Sequence, residues 1–144
     1  MKNKIDMEII IPNQTSYLGL VGKIGEDLAL HMEGFSGNRF ELANNINVVL
    51  TEAVTNAIIH ANGADPNKKV RIRISISRTQ LFIRVYDHGQ GFDLDSVPAP
   101  SLLSGKLEDR GRGIYIIRSL MDSVKFRKVR WGNVLEMKKR LGSI

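Results

Sequence analysis

Two short runs constrain this chain more than any other part of it: "VRIRISIS" at 70–77 and "LFIRVYD" at 81–87, joined by "RTQ". Each alternates apolar and polar residues, and most of the apolar ones are β-branched. Successive side chains of a strand point to opposite faces, so such runs form strands with one buried and one wet face. Two of them so close together predict an antiparallel hairpin. The isoleucines then face a core, while Arg71 and Arg73 point the other way. A sheet that is apolar on one face needs cover on that face alone, and helices packed on one side supply it.

The rest of the chain provides those helices and more strands. "IDMEIII" at 5–11 reads as a first strand, stopped by Pro12 and Asn13. A helix is expected from about Ser16, where Ser or Thr can cap backbone amides; Tyr17, Val21, Ile24, Leu28 and Met32 make its apolar face. A long helix over roughly 40–61 follows, closed by Asn62–Gly63 and by Pro66. After the hairpin and a glycine-bounded loop, a third helix is expected from about Gly113 to Met121. "SVKFRKV" and "VLEMKKRL", split by "RWGN", predict a second hairpin. The order β-α-α-β-β-α-β-β implies an α+β fold, a two-layer sandwich with a largely antiparallel mixed sheet and helices on one face. Arginines and lysines would occupy the other face. With 144 residues and no repeat, low-complexity segment or linker, residues 1–144 read as a single domain.

Composition removes several classes of function. The absence of cysteine excludes disulfides, thiolate metal sites and a cysteine nucleophile. The three histidines, at 31, 60 and 88, argue against a histidine-rich metal site. No apolar run approaches the ~20 residues needed to span a bilayer. The N-terminal "MKNKIDMEIIIPNQ" lacks the long apolar stretch and cleavage site of a signal peptide, so a cytoplasmic protein with no membrane partner is expected. A net charge of +6, concentrated in 68–84 and 125–140, raises the alternative of a basic sheet that binds nucleic acid. Those strands show little of the aromatic interleaving that stacks bases, and Phe82, Tyr86 and Phe126 would serve only if they pointed outward. A solvated or partner-facing basic sheet is the better reading.

Chemistry concentrates in three places. "FELANNINVVLTEAVTNAIIHAN", residues 40–62, contains no Lys or Arg in a chain rich in both. Glu52, Asn56 and His60 stand four residues apart and share one helical stripe, with Asn45 on roughly the same side. A solvated stripe normally uses Lys, Glu and Arg; a carboxylate, an amide and an imidazole among alanines look like the wall of a cleft. A carboxylate beside an amide oxygen suits Mg²⁺ and the phosphates it carries, and the glutamate can also take or orient a proton. His60 is open between a structural helix-end imidazole and a site residue. In "YDHGQG", Asp87 emerges at a strand end, where Gly89 and Gly91 let the backbone pass close to a flat ligand. In "RGRGIYIIRSLMD", Gly111 and Gly113 fall where a helix begins, and a helix start offers amides and a positive dipole end to a phosphate. Arg110 and Arg112 either add charge there or are solvated. The polar stretch 92–110 between the two glycine clusters is expected to be a lid over a nucleotide.

In this order and spacing the three elements resemble the ATP-binding domain of the GHKL superfamily, which includes gyrase, Hsp90, sensor histidine kinases and MutL. "EAVTNAIIH" looks like its N box, "DHGQG" its first glycine box and "GRG" its second, and the resemblance spans about residues 8–140. The form "LTEAVTNAIIHA" and the compact length look most like the bacterial anti-sigma-factor serine/threonine kinases. The resemblance implies the Bergerat, or histidine-kinase-like, ATPase fold and the binding of ATP with Mg²⁺. It also implies sequestration of a sigma factor, phosphorylation of a serine on a STAS-domain anti-anti-sigma factor, and a homodimer. Carried over to this chain, it makes Glu52 the catalytic or water-orienting carboxylate and Asn56 the Mg²⁺ ligand. Asp87 receives the adenine amino group, while Gly89, Gly91, Gly111 and Gly113 shape the pocket and lid. Arg112 approaches the phosphates. Many relatives have a small residue where this chain has Arg110, and sporulation-type kinases place a phosphate-contacting arginine where Asp109 sits. Which arginine meets the γ-phosphate stays open on this basis. A sensor histidine kinase would need a phosphoacceptor domain, and gyrase-like or MutL-like machines would need further domains. An ATP-binding regulatory module that sequesters its partner without phosphorylating it is the remaining alternative.

Overall fold

A computed structural model describes residues 5–32, 35, 37–89 and 109–142, with only the backbone described at 109 and 110. Strand β1, Ile5–Pro12, leads through a 3₁₀ turn, Thr15–Tyr17, into helix α1, Leu18–Leu30. Helix α2 is Arg39–Thr55, and its path continues as a π-helical stretch, Asn56–Ala61. Strands β2, Lys69–Ile76, and β3, Gln80–Asp87, form the first hairpin. Helix α3, Asp109–Leu120, precedes the second hairpin, β4, Ser123–Val129, and β5, Gly132–Arg140.

The five strands form one sheet in the order β1-β2-β3-β5-β4, and each of its four pairings is antiparallel. The expected largely antiparallel sheet is therefore present, with no parallel pair among the described strands. Alternation sorts the residues as the runs predict: Val70, Ile72, Ile74 and Ile76 of β2 and Leu81, Ile83 and Val85 of β3 are all buried. They join Val21, Leu42, Ile46, Leu50, Ile58, Ile114 and Ile117 of the helices in one core. Each such aliphatic side chain contributes about 1.5–3 kcal/mol when fully buried. None of the described helices is long and apolar enough to cross a membrane.

Three local expectations are corrected. Ser16 caps nothing: it lies inside the 3₁₀ turn, and neither that turn nor α1 has a side-chain cap at its start. Of the expected face of α1, Val21 and Met32 are buried and Tyr17 and Leu28 pack half-buried against the core, but Ile24 is only half-buried, and the rest of the buried face is Gly22, Gly25 and Ala29. Small residues win there because α1 lies against α2. A Cβ on Gly22 would stand 2.6 Å from the Asn47 side-chain oxygen, and one on Gly25 would stand 2.6 Å from Ile46 Cγ2. Finally, α3 already includes Asp109, the first residue described after 89, so Gly113 stands inside the helix instead of opening it, while Gly111 falls in its first described turn.

The open face of the sheet carries the basic residues, arranged in rows across the strands. One row runs Ile10, Arg71, Tyr86, Val134, Arg127, and the next Glu8, Arg73, Arg84, Glu136, Lys125. Phe82 and Tyr86 do point outward, as base stacking would require, but Phe126 packs against the core. The outward rings are already covered: Arg71 lies 4.2 Å over Tyr86, while Arg84 and Lys138 lie 4.1 and 5.1 Å from the Phe82 centroid. Asp6 takes a two-pronged bond from Arg73, and Glu136 pairs with both Arg84 and Arg127. A face with so many internal pairs is a poor platform for bases.

Candidate nucleotide site

The site builds from the end of β3 and the end of α2, which the sheet and its helical cover bring together. Asp87 closes β3 and is 3% exposed. Its Oδ1 accepts hydrogen bonds from the Gly89 amide at 2.8 Å and from Asn133 Nδ2 at 3.0 Å. That leaves Oδ2 without a hydrogen-bond partner among the described residues. Gly89 passes so close to the Ala61 carbonyl that any Cβ would collide with it. Glycine at this position is therefore a matter of contact between the strand end and the helix end. Asn62 ties the same two elements together, accepting from the His88 amide at 2.8 Å while donating to Asn13 Oδ1 at 3.0 Å.

On the helix side, the chain changes from α to π winding at Asn56. The Asn62 amide reaches back five residues to the Ala57 carbonyl. Such π segments are uncommon and concentrate at functional sites. Asn56 is 6% exposed, and its side-chain oxygen is fully buried with no hydrogen-bond partner among the described residues. Buried polar atoms are nearly always paired, and an unpaired one costs about 1–3 kcal/mol. This orphan is the strongest chemical anomaly in the described residues. Glu52 lies one turn earlier and is half-buried. A Cβ on Gly113 would come within 2.8 Å of Glu52 Oε2, so the glycine of α3 is what lets the carboxylate rest there.

The structure thus brings Glu52, Asn56 and Gly113 to one place and Asp87 and Gly89 to the adjoining strand end. Gly111 is half-buried in α3, and Arg112 is exposed on it. Gly91 and the expected lid up to residue 108 lie outside the described residues, as does the Arg110 side chain. His60 is half-buried within the π segment, where the 3.6-residue period that placed it on the Glu52 stripe no longer holds. Asn133, Asn62 and Asn13 were not foreseen as a set: each stands beside a turn, where asparagine is common for purely local reasons. A cavity of about 420 Å³ next to Met32, Phe35, Ile76 and Arg78 contains none of the site residues.

Residues 16–139 match the family of histidine kinase-like ATPase domains. The chain is 31% identical over 132 residues to the serine-protein kinase RsbW of Bacillus subtilis, covering 87% of this chain and 80% of that one. It is 36% identical over 99 residues to the anti-sigma F factor of Anoxybacillus flavithermus, covering 67% and 68% of the two chains. Among solved structures, the histidine kinase domain of the Erythrobacter litoralis EL346 blue-light activated histidine kinase superposes with a TM-score of 0.55 at 21% identity. That superposition covers 91% of this chain and 62% of the other, so it speaks for the fold alone.

Proposed function

The chain belongs to the histidine kinase-like ATPase family, and from that premise we propose that it is an ATP- and Mg²⁺-dependent serine kinase. It acts as an anti-sigma factor, as a cytoplasmic homodimer of one ATPase domain per chain, and phosphorylates a serine on a STAS-type anti-anti-sigma partner. The names of the relatives support the serine and the sigma factor. The observation that carries the nucleotide reading is Asn56, whose buried side-chain oxygen lacks a partner one turn from a carboxylate. A hard cation with its phosphates is the kind of ligand that such an oxygen awaits.

The residues fit that ligand. Asn56 would hold Mg²⁺ through Oδ1, and no described group of three His, Asp or Glu side chains could hold a metal by itself. Phosphate oxygens and water would therefore complete the cation's shell. When bound, Mg²⁺ supplies charge neutralisation at the phosphates. Asp87 would accept the adenine amino group at Oδ2, and it would oppose the carbonyl that guanine presents instead. Gly89 and Gly91 would let the base approach the backbone, Gly111 and Gly113 would shape the pocket and lid, with Gly113 directly against Glu52, and Arg112 or Arg110 would meet the phosphates. Glu52 takes the proton of the attacking serine hydroxyl as the new O–P bond forms and the bond to the departing ADP oxygen breaks.

The test separates binding from transfer. Glu52→Gln keeps size and should retain nucleotide affinity within a few-fold, while radiolabel transfer to a partner serine falls by about 10²–10⁴. Asn56→Ala should instead weaken Mg²⁺-dependent ATP binding itself. Undiminished transfer by Glu52→Gln would remove Glu52 from the chemistry, and binding without transfer in the unaltered protein would reduce the function to an ATP-gated module.

A further inference from the structure

Asn133 is the second residue of β5, opposite Asp87 at the end of β3, and is 1% exposed. Both hydrogens of its amide are committed: one goes to Asp87 Oδ1 at 3.0 Å and the other to the Gly89 carbonyl at 2.7 Å. From these bonds we infer that Asn133 is a positioning residue that sets nucleobase choice, by turning the Asp87 carboxylate so that Oδ2 alone is offered to an exocyclic amino group. The inference rests on the reading of Asp87 given above.

An ionised carboxylate offers about four acceptor directions over two oxygens, and nothing intrinsic chooses among them. The Gly89 amide also bonds Oδ1, but it is only two residues away and moves with the same turn. Asn133 comes from a strand 46 residues on, so its bond refers the carboxylate to the frame of the sheet. An amide nitrogen suits the task because it can donate to a carboxylate and a carbonyl at once. An aspartate there would face two acceptors with none to give, and a serine would have a single hydrogen. The backbone of the turn has other supports: Asn62 holds the His88 amide, and Gly132 packs directly on the Asp87 carbonyl. What Asn133 adds is therefore the aim of the carboxylate.

The experiment compares ATP with purine riboside triphosphate, which lacks the 6-amino group, by calorimetry on the full chain. The unaltered protein should prefer ATP by about ten- to a hundred-fold, because the analogue leaves a buried acceptor unpaired. In Asn133→Ala the preference should shrink to within about three-fold, with the affinity for the analogue nearly unchanged, since the carboxylate is then free to turn away. Asn133→Ser, which is neutral and leaves no second carboxylate beside Asp87, serves if the alanine variant does not fold; with one hydrogen in place of two, it too should lose most of the preference. If both nucleotides weaken equally in the variants, so that the preference survives, Asn133 is only structural and the inference fails. No preference in the unaltered protein would overturn the reading of Asp87 first, and the inference with it.

Discussion

Gly113 and Glu52 form a pair whose consequences can be separated. A Cβ at 113 would lie 2.8 Å from Glu52 Oε2, and its next contacts would be at 3.8 and 3.9 Å. The close atom is the tip of a flexible side chain, so the carboxylate can move aside at little energetic cost. Alanine is also favoured over glycine inside a helix by about 1 kcal/mol. Gly113→Ala should accordingly leave the melting temperature unchanged or raise it. Transfer to a partner serine should fall by roughly ten- to a hundred-fold, because a misplacement of about 1 Å is enough to spoil a reacting geometry. Melting and radiolabel transfer on the same preparation check both halves. Unchanged transfer would mean that Glu52 does not act from the position it occupies.

The sheet's open face depends on a hub that joins three strands. Glu136 of β5 pairs with Arg84 of β3 and Arg127 of β4, and its side chain is only 12% exposed. The hydrogen bond from Arg127, followed by that from Arg84, holds its carboxyl below the usual glutamate range against the opposing effect of burial. A carboxyl depressed in the folded state stabilises the fold above its ordinary pKa, about 4.3, and loses that contribution as pH falls through the lower folded value. Glu136→Gln should therefore be less stable than the unaltered protein at pH 7. The gap should narrow as pH drops below about 4, as measured by urea melts across that range. A gap of constant size would mean that the ion pairs contribute nothing beyond the shape of the side chain. The helices show the converse arrangement. The seam of α1 and α2 uses Gly22, Gly25 and Ala29, and its polar part is a chain from Thr51 through Asn47 to Glu26.

At the scale of the molecule, the two sheet edges are protected by composition. Strand β1 carries Asp6, Glu8 and Pro12, and β4 carries Lys125, Arg127 and Lys128. Charge and proline at an edge discourage pairing with another chain. Ligand binding should appear as stability of the whole fold, since the proposed contacts come from α2, β3 and α3 together. At a hundred times the dissociation constant, ATP with Mg²⁺ should add about 2.7 kcal/mol, a rise in melting temperature on the order of 10 °C. Chelating the metal should remove most of this rise in the unaltered protein and change little in Asn56→Ala. A rise that ignores the metal in both would place the cation outside the Asn56 site.

What the residues determined alone is what depends on local period. Alternation in 70–77 and 81–87 fixed which side chains are buried, because a strand turns its face every residue whatever lies beside it. The carboxylate and amide at 52 and 56 were legible for a similar reason, since one helical turn sets their relation. The sequence alone starts the third helix only near Gly113, because glycine is a poor helix former. Packing of Ile114 and Ile117 into the core outweighs that propensity and carries α3 back to Asp109. Part of the buried face of α1 escapes periodicity, which counts large apolar residues, whereas Gly22 and Gly25 are there because Ile46, Asn47 and Leu50 approach so closely. Most remote from the sequence was the Asn133–Asp87 bond. Each hairpin announces its own pairing, but nothing local says that β5, and not β4, lies against β3. Only the order of strands in the finished sheet put that asparagine beside the carboxylate.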